Sequence, residues 1–447
     1  MKIKSFVCLM LGMLMVLFSS CDKIQPDVES LLSPPKLTQE QREIYDTLVE
    51  TAVSSSIKHK YTKAGEYRSA FVMYDIDDDG EEEAIAFYDP QQEDPSVRIK
   101  ILDKQNDEWV SVYDKANGSG GVDVDRVMFE NVSSVDRKDM IIGWNLINRA
   151  EKGVGIYSYE GEKLVSVYPD ETTSDDMDTY SEMVVEDLNG DLRKELILLK
   201  NSTSTLRSSV RTVGYRLGRV QPLVDQPLRD GIMGYSQIES TSLEGGGVKL
   251  YADVYLGESM MGTEMLQVTA DEIIYETQED EVFNLTMRSS DLPSRDVNED
   301  GIIEVPYNTP LPGYDSEVED GALYLTHYNQ WEEGQCIEVF SAVVNHENGY
   351  MFIMPPQWVD QVTVVTTFVS NEWKFIRFNE TLENDSDALL YINVYSEDEY
   401  KDRNTISQRT LVDTKGIFEY YMYVPENADP ELALTLEQAR EQFQLLV

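Results

Sequence analysis

Short runs of apolar and β-branched residues recur along most of the chain, and acidic turns separate them. A first group of four runs occupies residues 70–74, 82–88, 97–102 and 109–113. A second group occupies residues 127–130, 140–144, 154–159 and 164–168. Runs of this length that are bounded by turn residues are typical of β-strands. The pattern therefore predicts a mainly β protein made of units of four short strands, each unit about 50 residues long.

The turn that follows the first run of a unit recurs at a nearly constant interval. Its copies begin, in chain order, at Asp75, Asn131, Asp187, Thr241 and Asp296, which lie 54 to 56 residues apart. Such a period indicates one supersecondary unit per repeat, with the units stacked or arranged in a ring. We predict about five units between residues 60 and 343. Six or seven units stay open if the flanking sequence contains a degenerate copy.

Three of these turns carry oxygen-bearing side chains at alternate positions. We name them loop A (residues 75–83, DIDDDGEEE), loop B (residues 187–195, DLNGDLRKE) and loop C (residues 296–304, DVNEDGIIE). Side chains at positions 1, 3, 5 and 9 and the backbone carbonyl of position 7 can converge on one hard cation. The predicted calcium ligands are Asp75, Asp77, Asp79, Glu81 and Glu83 in loop A, Asp187, Asn189, Asp191, Arg193 and Glu195 in loop B, and Asp296, Asn298, Asp300, Ile302 and Glu304 in loop C.

We predict two or three Ca²⁺ sites, because Leu192 replaces the turn glycine in loop B. An EF-hand is excluded, since its position 12 is a bidentate glutamate and that position here holds Ala86, Leu198 or Tyr307. Two carboxylates about 4–5 Å apart repel by about 3–4 kcal/mol at an effective dielectric constant of 20, and a cation removes this penalty. The alternative is a set of solvated acidic turns. Three copies in register favour calcium.

The loops and their spacing resemble FG-GAP and VCBS-type repeats, the calcium-bearing blades that are also found in the propeller of integrin α-subunits. The resemblance covers residues 60–343. It implies a β-propeller of about five four-stranded blades, with calcium in the hairpin between the first two strands of a blade. The second and fourth turns depart from the motif, because Val135, Leu243 and Gly245 cannot supply the oxygens. Those two blades are expected to be metal-free.

The N-terminal segment has the features of an export signal in residues 1–20. A positively charged end precedes a 13-residue apolar run, which is too short to span a bilayer. The LFSSC segment that follows resembles a bacterial lipobox and implies a lipid anchor on Cys21. Residues 21–36 are interpreted as a flexible tether. We therefore expect a lipid-anchored, extracytoplasmic protein of the bacterial cell envelope; the alternative is ordinary secretion with a free Cys21.

Helical signals flank the repeats. A capping box predicts an N-terminal helix within residues 37–56. Residues 345–447 lack the loop motif and mix strand-like runs with two helix signals, one at Ser396 and one after Thr435. This mixture predicts a small C-terminal α+β domain, which faintly resembles the PsbP-like fold.

The charge of the chain narrows the range of possible functions. The net charge is −46, from 83 acidic and 37 basic residues, and nucleic-acid binding is excluded because phosphate contacts need basic clusters. Three calcium ions would cancel only a small part of this charge, so the acidity is interpreted as a solubilising surface.

Cys336 has no partner for an intrachain disulfide once Cys8 and Cys21 are assigned to the leader and the anchor. We expect it to be a small core residue.

Enzyme signatures are scarce in the sequence. It contains no G-x-S-x-G, P-loop or H-E-x-x-H motif. We therefore predict a non-catalytic binding or interaction module whose ligand is a glycan, a peptide or a protein. Two alternatives stay open. One is a propeller-based hydrolase or lyase that acts on envelope polysaccharide through acidic residues, and the other is a structural partner within a lipoprotein complex.

Overall fold

The computed structural model describes residues 37–92, 97–116, 121–169, 177–202, 204–289, 291–314, 322–332, 334–367, 371–382, 388–396 and 408–446. The predicted leader, Cys21 and the tether lie outside these residues. The described chain is mainly β, as the sequence predicted, and it forms several antiparallel sheets. No helix in the described ranges combines the length and the apolar character that crossing a bilayer requires.

Six antiparallel sheets follow one another along the described chain, and we number them I to VI. Sheet I contains β1 (Lys58–Lys60), β2 (Val72–Tyr74), β3 (Glu83–Asp89), β4 (Arg98–Gln105) and β5 (Glu108–Ala116). Sheet II contains β6 (Gly121–Glu130), β7 (Asp139–Leu146), β8 (Lys152–Tyr159), β9 (Leu164–Tyr168) and β10 (Thr179–Tyr180). Sheet III contains β11 (Glu182–Glu186), β12 (Glu195–Ser202), β13 (Arg207–Arg216) and β14 (Arg219–Pro227).

The remaining sheets bring in the C-terminal part of the chain. Sheet IV contains β15 (Gly234–Ser242), β16 (Val248–Tyr255), β17 (Met260–Val268), β18 (Ile273–Tyr275) and β19 (Arg288–Ser289). Sheet V contains β20 (Val305–Pro310), β21 (Tyr324–Glu332), β22 (Gln335–Asn345), β23 (Tyr350–Ile353) and the C-terminal β29 (Phe443–Leu445). Sheet VI contains β24 (Val362–Thr367), β25 (Glu372–Arg377), β26 (Ala388–Ser396), β27 (Thr410–Lys415) and β28 (Phe418–Tyr423). The described helices are α1 (Gln39–Thr51), α2 (Asp280–Asn284) and α3 (Leu436–Glu441).

Four consecutive strands form an up-and-down meander in each of sheets I to IV. The four recurring turns that begin at Asp75, Asn131, Asp187 and Thr241 each lie at the hairpin between the first two strands of these meanders. Loop C differs in its closure, because an isolated bridge between Arg295 and Glu304 stands in place of a first strand before β20. The period therefore locates a hairpin that leads into the long second strand of each of sheets I to IV and into the first strand of sheet V.

Each sheet packs face to face against the next one in the chain. Adjacent residues of a strand point to opposite faces, so the second strand of a meander is apolar on both sides. For example, Ile141 faces sheet III while Ile142 faces sheet I. Buried residue pairs that represent the five interfaces, from I–II to V–VI, are Ile85 and Trp144, Ile141 and Leu196, Ile197 and Leu250, Tyr251 and Trp331, and Phe352 and Phe375.

Helix α1 covers the face of sheet I that points away from sheet II. Thr38 caps it through the predicted box with Gln41. Ile44 and Leu48 are fully buried against a cluster that includes Tyr88 of β3. In a closed ring of blades this face would contact the last sheet. Within the described ranges, no core cluster contains residues of both sheet I and sheet VI.

The C-terminal segment is joined closely to the sheets before it. Strand β22 runs through residue 344, between the predicted end of the repeats and the predicted α+β domain, and one core cluster extends from Leu311 to Ala439. Helix α3 begins after Thr435 as predicted but ends at Glu441, because the next residues pair with β23 as β29. The helix signal at Ser396 falls almost wholly outside the described residues.

Cys336 is exposed, so its prediction as a core residue was wrong. It lies in the first part of β22, where residues 335–339 are all exposed on both faces. Strand β23 covers only residues 342–345 of β22. The neighbouring apolar residues suggested a buried strand, but this end of the hairpin extends beyond the core.

Candidate metal sites

The glutamate at position 9 has the same backbone contact in all three loops. One oxygen, Oε2, accepts a hydrogen bond from the amide N–H of position 2, at 2.8 Å in loop A, 2.8 Å in loop B and 2.7 Å in loop C. Glu83, Glu195 and Glu304 are each at most 1 % exposed. Because Oε2 is held in this way, the chemistry of each loop depends on what neutralises Oε1.

The aspartate at position 1 curls the backbone of each loop. Asp75 accepts from the amides of Asp79 and Gly80, at 3.1 and 3.0 Å. Asp296 accepts from the equivalent amides of Asp300 and Gly301, at 3.1 and 2.8 Å. In loop B, Asp187 accepts from the amides of Asn189, Gly190 and Leu192, at 3.2, 2.7 and 3.0 Å. Burial acts to raise the pKa of Asp187, but the backbone amides outweigh it and hold that pKa below the usual range.

Positions 4 and 6 have positive φ in every loop. Position 4 is Asp78, Gly190 or Glu299, with φ of 62°, 74° and 62°. Position 6 is Gly80, Leu192 or Gly301, with φ of 94°, 71° and 87°. Glycine adopts this region without steric cost, whereas a Cβ does not. Loop B therefore keeps the fold of the other loops, but its glycine stands two residues earlier.

Loop A gathers three carboxylates around an oxygen that has no partner. Ligand atoms of Asp75, Asp77 and Glu83 all lie within 4.8 Å of one another. Oε1 of Glu83 is buried and has no hydrogen-bond partner in the part of the chain that the structure describes. Burial raises the pKa of Glu83 to about 7 against the opposing Ile76 amide, and the charges of Asp77 and Asp103 add to the effect. A buried carboxylate in this state needs a proton or a cation.

Loop C gathers a similar set but adds an amide. Ligand atoms of Asp296, Asp300 and Glu304 lie within 4.8 Å of one another. Gln330 of β21 donates its Nε2–H to Oε1 of Glu304 at 2.7 Å and to Oδ2 of Asp300 at 2.8 Å. Burial still raises the pKa of Glu304. A side-chain amide therefore lies between two of the candidate ligands.

Loop B has an amide within the loop. Asn189 donates its Nδ2–H to Oε1 of Glu195 at 3.1 Å. Arg193 forms an ion pair with Asp191 at 3.3 Å, which places a positive charge beside a predicted ligand. Burial raises the pKa of Glu195 to about 7. Although it contains Asp187, Asp191 and Glu195, loop B does not form one of the three-carboxylate groups found among the described residues.

The other predicted ligands have local partners. At position 5, Asp79, Asp191 and Asp300 each accept from the amide of position 7 at 2.8 Å. Asn298 donates to Asp300 at 2.9 Å. The structure brings Asp79 into neither of the three-carboxylate groups of the described chain. The carbonyl roles of Glu81, Arg193 and Ile302 stay predictions.

In the second and fourth turns, the position-9 side chains have protein partners. Asp139 is fully buried and accepts from the amide and the hydroxyl of Ser133, at 2.6 and 2.9 Å. The fourth turn has Lys249 at this position. Its ammonium donates to the carbonyl of Trp331 and pairs with Glu276, both at 2.9 Å. Asp139 thus closes its own turn, whereas Lys249 connects the fourth turn to β21 and to Glu276.

Cross-strand register places residues beside the loops that the sequence motif did not reveal. The pairs Ala84 with Leu102, Leu196 with Val213, and Val305 with Asn329 fix the register of the strands that follow the loops. Position 9 directly precedes the first residue of each pair, so it faces the residue that directly follows the second one. These facing residues are Asp103 in loop A, Gly214 in loop B and Gln330 in loop C. Predicting these neighbours requires the pairing of the third strand, which the spacing of acidic residues does not give.

Sheet IV contains a group of fully buried charges outside the loops. Asp253 and Arg288 are both fully buried and form an ion pair at 2.6 Å. Glu264 is also fully buried, and within the described residues neither of its oxygens has a well-formed hydrogen bond. The Tyr275 hydroxyl is a weak partner that partly offsets the effect of burial on the pKa of Glu264, and Arg229 Nε lies 3.6 Å away. Burial raises the pKa of Glu264 to about 7. Glu264 is enclosed by the protein and is not presented on a surface as a pair of catalytic acids would be.

Comparison with known proteins gives little similarity. No protein-family model matches the chain, and no curated protein matches it. An exo-β-1,3-galactanase from Phanerochaete chrysosporium aligns over 77% of this chain and 82% of its own, with 8% identity and a TM-score of 0.26. The exotype rhamnogalacturonan lyase YesX aligns over 72% and 71%, with 12% identity and a TM-score of 0.28. A hypothetical selenium-binding protein from Sulfolobus tokodaii covers 57% of this chain and 74% of its own, with 10% identity and a TM-score of 0.22. Similarity at this level carries no argument.

Proposed function

We propose that the chain is a calcium-stiffened, non-catalytic binding module of the bacterial cell envelope, anchored by lipid on Cys21. Its repeats would be FG-GAP or VCBS-type propeller blades that present loops to a glycan, peptide or protein. The observation that carries the calcium proposal is the Glu83 carboxylate. It is buried, its Oε1 has no partner, and it lies within 4.8 Å of Asp75 and Asp77.

Calcium suits this group better than a proton alone. Carboxylate and carbonyl oxygens are the ligands that Ca²⁺ prefers, and its flexible geometry tolerates a loop of this kind. A proton could neutralise Glu83 but would leave Asp75 and Asp77 repelling each other. Affinity is expected near the roughly 10⁻⁴–10⁻³ M range of extracellular modules. The ion would tie β2 to β3 at the start of sheet I.

The proposed ligand contact is an open surface cleft beside loop A. It has a volume of about 720 Å³ and lies between α1, loop A and the turn before β5. Its lining includes Gln41, Glu81, Glu82, Lys104 and Trp109. Since Glu81 and Glu82 belong to loop A, a bound ion would stiffen one wall of the cleft.

The calcium proposal is tested by thermal unfolding in excess calcium and in chelator. A tenfold excess over Kd stabilises the fold by about 1.4 kcal/mol per site, so the midpoint should rise in calcium. Glu83→Gln should reduce this rise, because the amide can donate to Asp75 or Asp77 and one ligand charge is lost. Glu82→Gln, at an exposed neighbouring position, is the matched control. An unchanged wild-type midpoint, with no heat in a calcium titration, would contradict the proposal.

Anchoring is tested separately on the full chain in a bacterial host. Cys21→Ser should move the protein from the membrane fraction to the soluble extracytoplasmic fraction and abolish labelling by a fatty-acid probe. Ser20→Ala, which retains the cysteine, is the control. A wild-type protein that takes up no label would favour ordinary secretion.

A further inference from the structure

The residue that faces position 9 across the sheet differs in chemistry from loop to loop. It is an acid in loop A (Asp103), a glycine in loop B (Gly214) and an amide in loop C (Gln330). The backbone position is the same in each case, since it is set by the register between the strand that follows the loop and the next strand along the chain. The local cation requirement can therefore be compared among loops that otherwise share one conformation.

Gln330 acts on loop C as a cation would. Its Nε2–H groups reach Glu304 and Asp300 at 2.7 and 2.8 Å. Gln330 is 7 % exposed, so its amide is held in this position by the surrounding strands. Two of the three carboxylates of loop C thus have a permanent neutral donor between them.

Asp103 has the opposite effect on loop A. It is half-buried and carries its carboxylate on the residue directly opposite Glu83 in the register of β3 and β4. Its own partner is Gln105, whose amide donates at 2.8 Å. Among the described residues, no donor reaches Oε1 of Glu83. Loop A therefore combines the largest number of carboxylates with no internal substitute for a cation.

Loop B leaves no room for a cross-strand side chain. A Cβ at Gly214 would lie 2.4 Å from Cγ of Glu195. The donor to Glu195 comes instead from Asn189 inside the loop. Loop B is therefore intermediate in its need for a cation. Its glutamate has an amide partner, but that amide belongs to Asn189, which is itself a predicted calcium ligand.

We infer that the cross-strand residue facing position 9 sets how strongly each loop depends on calcium, with loop A the most dependent and loop C able to keep its fold without an ion. This inference rests on the proposed calcium binding. Gln330 is a positioning residue in this account, since it acts through the carboxylates of the loop. Asp103 raises calcium affinity at loop A through its charge.

The test exchanges the cross-strand chemistry and measures calcium by calorimetric titration and unfolding midpoints in calcium and in chelator. Asp103→Gln should weaken the tightest site about tenfold and raise the midpoint in chelator. Gln330→Asp is made in a Glu83→Gln background, which removes the calcium site of loop A. In that background it should strengthen the remaining calcium binding about tenfold and lower the unfolding midpoint in chelator. Asp230→Asn, at an exposed residue between β14 and β15 and outside the three loops, should change neither value.

A further variant separates the two possible roles of Gln330. Gln330→Met removes the donor without adding charge, so the midpoint in chelator should fall while calcium affinity is retained or increased. Weaker calcium binding in Gln330→Met would show that the amide is a ligand and would overturn the inference. Unchanged titrations in both exchange variants would also overturn it. A wild-type protein without any calcium response would refute the proposed function, whereas the chelator midpoint of Gln330→Met would still report on the amide contact.

Discussion

Glu83, Glu195 and Glu304 occupy the same place in three loops, yet their Oε1 atoms have different surroundings. Oε1 of Glu83 has no partner among the described residues. Oε1 of Glu195 accepts from Asn189 of its own loop, and Oε1 of Glu304 accepts from Gln330 of β21. At the scale of the residue, all three glutamates are buried, but the group that neutralises each carboxylate differs. This difference decides which loop needs a cation.

A residue-scale prediction concerns the pH dependence that arises from Glu264. Its pKa is raised from 4.5 to about 7 by burial, so between these values the unfolded chain loses the proton and the folded chain keeps it. Stability should therefore fall as pH rises from about 4.5 to about 7, by about 3 kcal/mol from this group. Urea unfolding at several pH values should show a flatter profile for Glu264→Gln than for the wild type.

The exposed Glu244→Gln variant is the control for this measurement. It should reproduce the wild-type profile. All three proteins are measured in chelator, so that the calcium loops contribute equally. A Glu264→Gln profile as steep as that of the wild type would show that Glu264 is not the titrating group.

A second residue-scale prediction concerns the strained position 6 of loop B. Leu192 has a φ of 71° and is 74 % exposed, so its side chain gains little from packing. Leu192→Gly should stabilise the protein by up to about 1 kcal/mol, because the left-handed conformation costs a Cβ about 1–2 kcal/mol and the flexible unfolded glycine offsets part of the gain. Leu192→Ala keeps the Cβ and should give no gain in chemical unfolding. Equal effects of the two variants would contradict this explanation.

At the scale of the element, the sequence predicted the positions of the hairpins but not the residues that face the loop glutamates across the sheet. The runs predicted at residues 82–88 and 140–144 lie within one or two residues of β3 and β7. Local alternation and turn chemistry determine such positions. The identity of the residue opposite Glu83 or Glu304 depends on pairing between strands that are distant in sequence, so the motif could not reveal Asp103 or Gln330.

An element-scale prediction concerns α1 as the cover of sheet I. Leu48 is fully buried in a cluster with Tyr88 and Trp109. Leu48→Ala should lower the free energy of unfolding by about 2–5 kcal/mol, through lost burial and the cavity that remains. Glu50→Ala, on the exposed face of the same helix, should change it by less than about 0.5 kcal/mol. A negligible effect of Leu48→Ala would mean that α1 does not stabilise sheet I.

At the scale of the whole molecule, each sheet depends on its neighbours in the chain. Sheet V receives β29 from the C-terminus, and its core is continuous with that of sheet VI. The segment after residue 345 therefore completes sheet V in addition to forming its own sheet. Burial between successive sheets is the main stabilising contribution that this arrangement provides.

A whole-molecule prediction follows for a chain that ends at residue 344. Leu311, Leu325 and Val343 lose the residues that cover them, including Phe352 and Trp358. We expect sheet V of this truncated chain to be digested rapidly in limited proteolysis, while sheets I to III stay protected. A chain that ends at residue 441 and lacks β29 should show a milder loss. Full protection of the chain ending at 344 would indicate an independent C-terminal domain.

Local sequence patterns were enough to predict the mainly β character, the positions of the recurring hairpins and the acidic loops that are candidates for calcium. These features depend on residues within one turn or one strand, whose periodicity and side-chain chemistry act locally. The tertiary structure alone decided which groups neutralise the loop glutamates, that Cys336 is exposed and that the C-terminus returns to sheet V. Those outcomes depend on strand register and on packing between segments far apart in the chain, because a buried carboxylate takes whatever partner the fold places beside it.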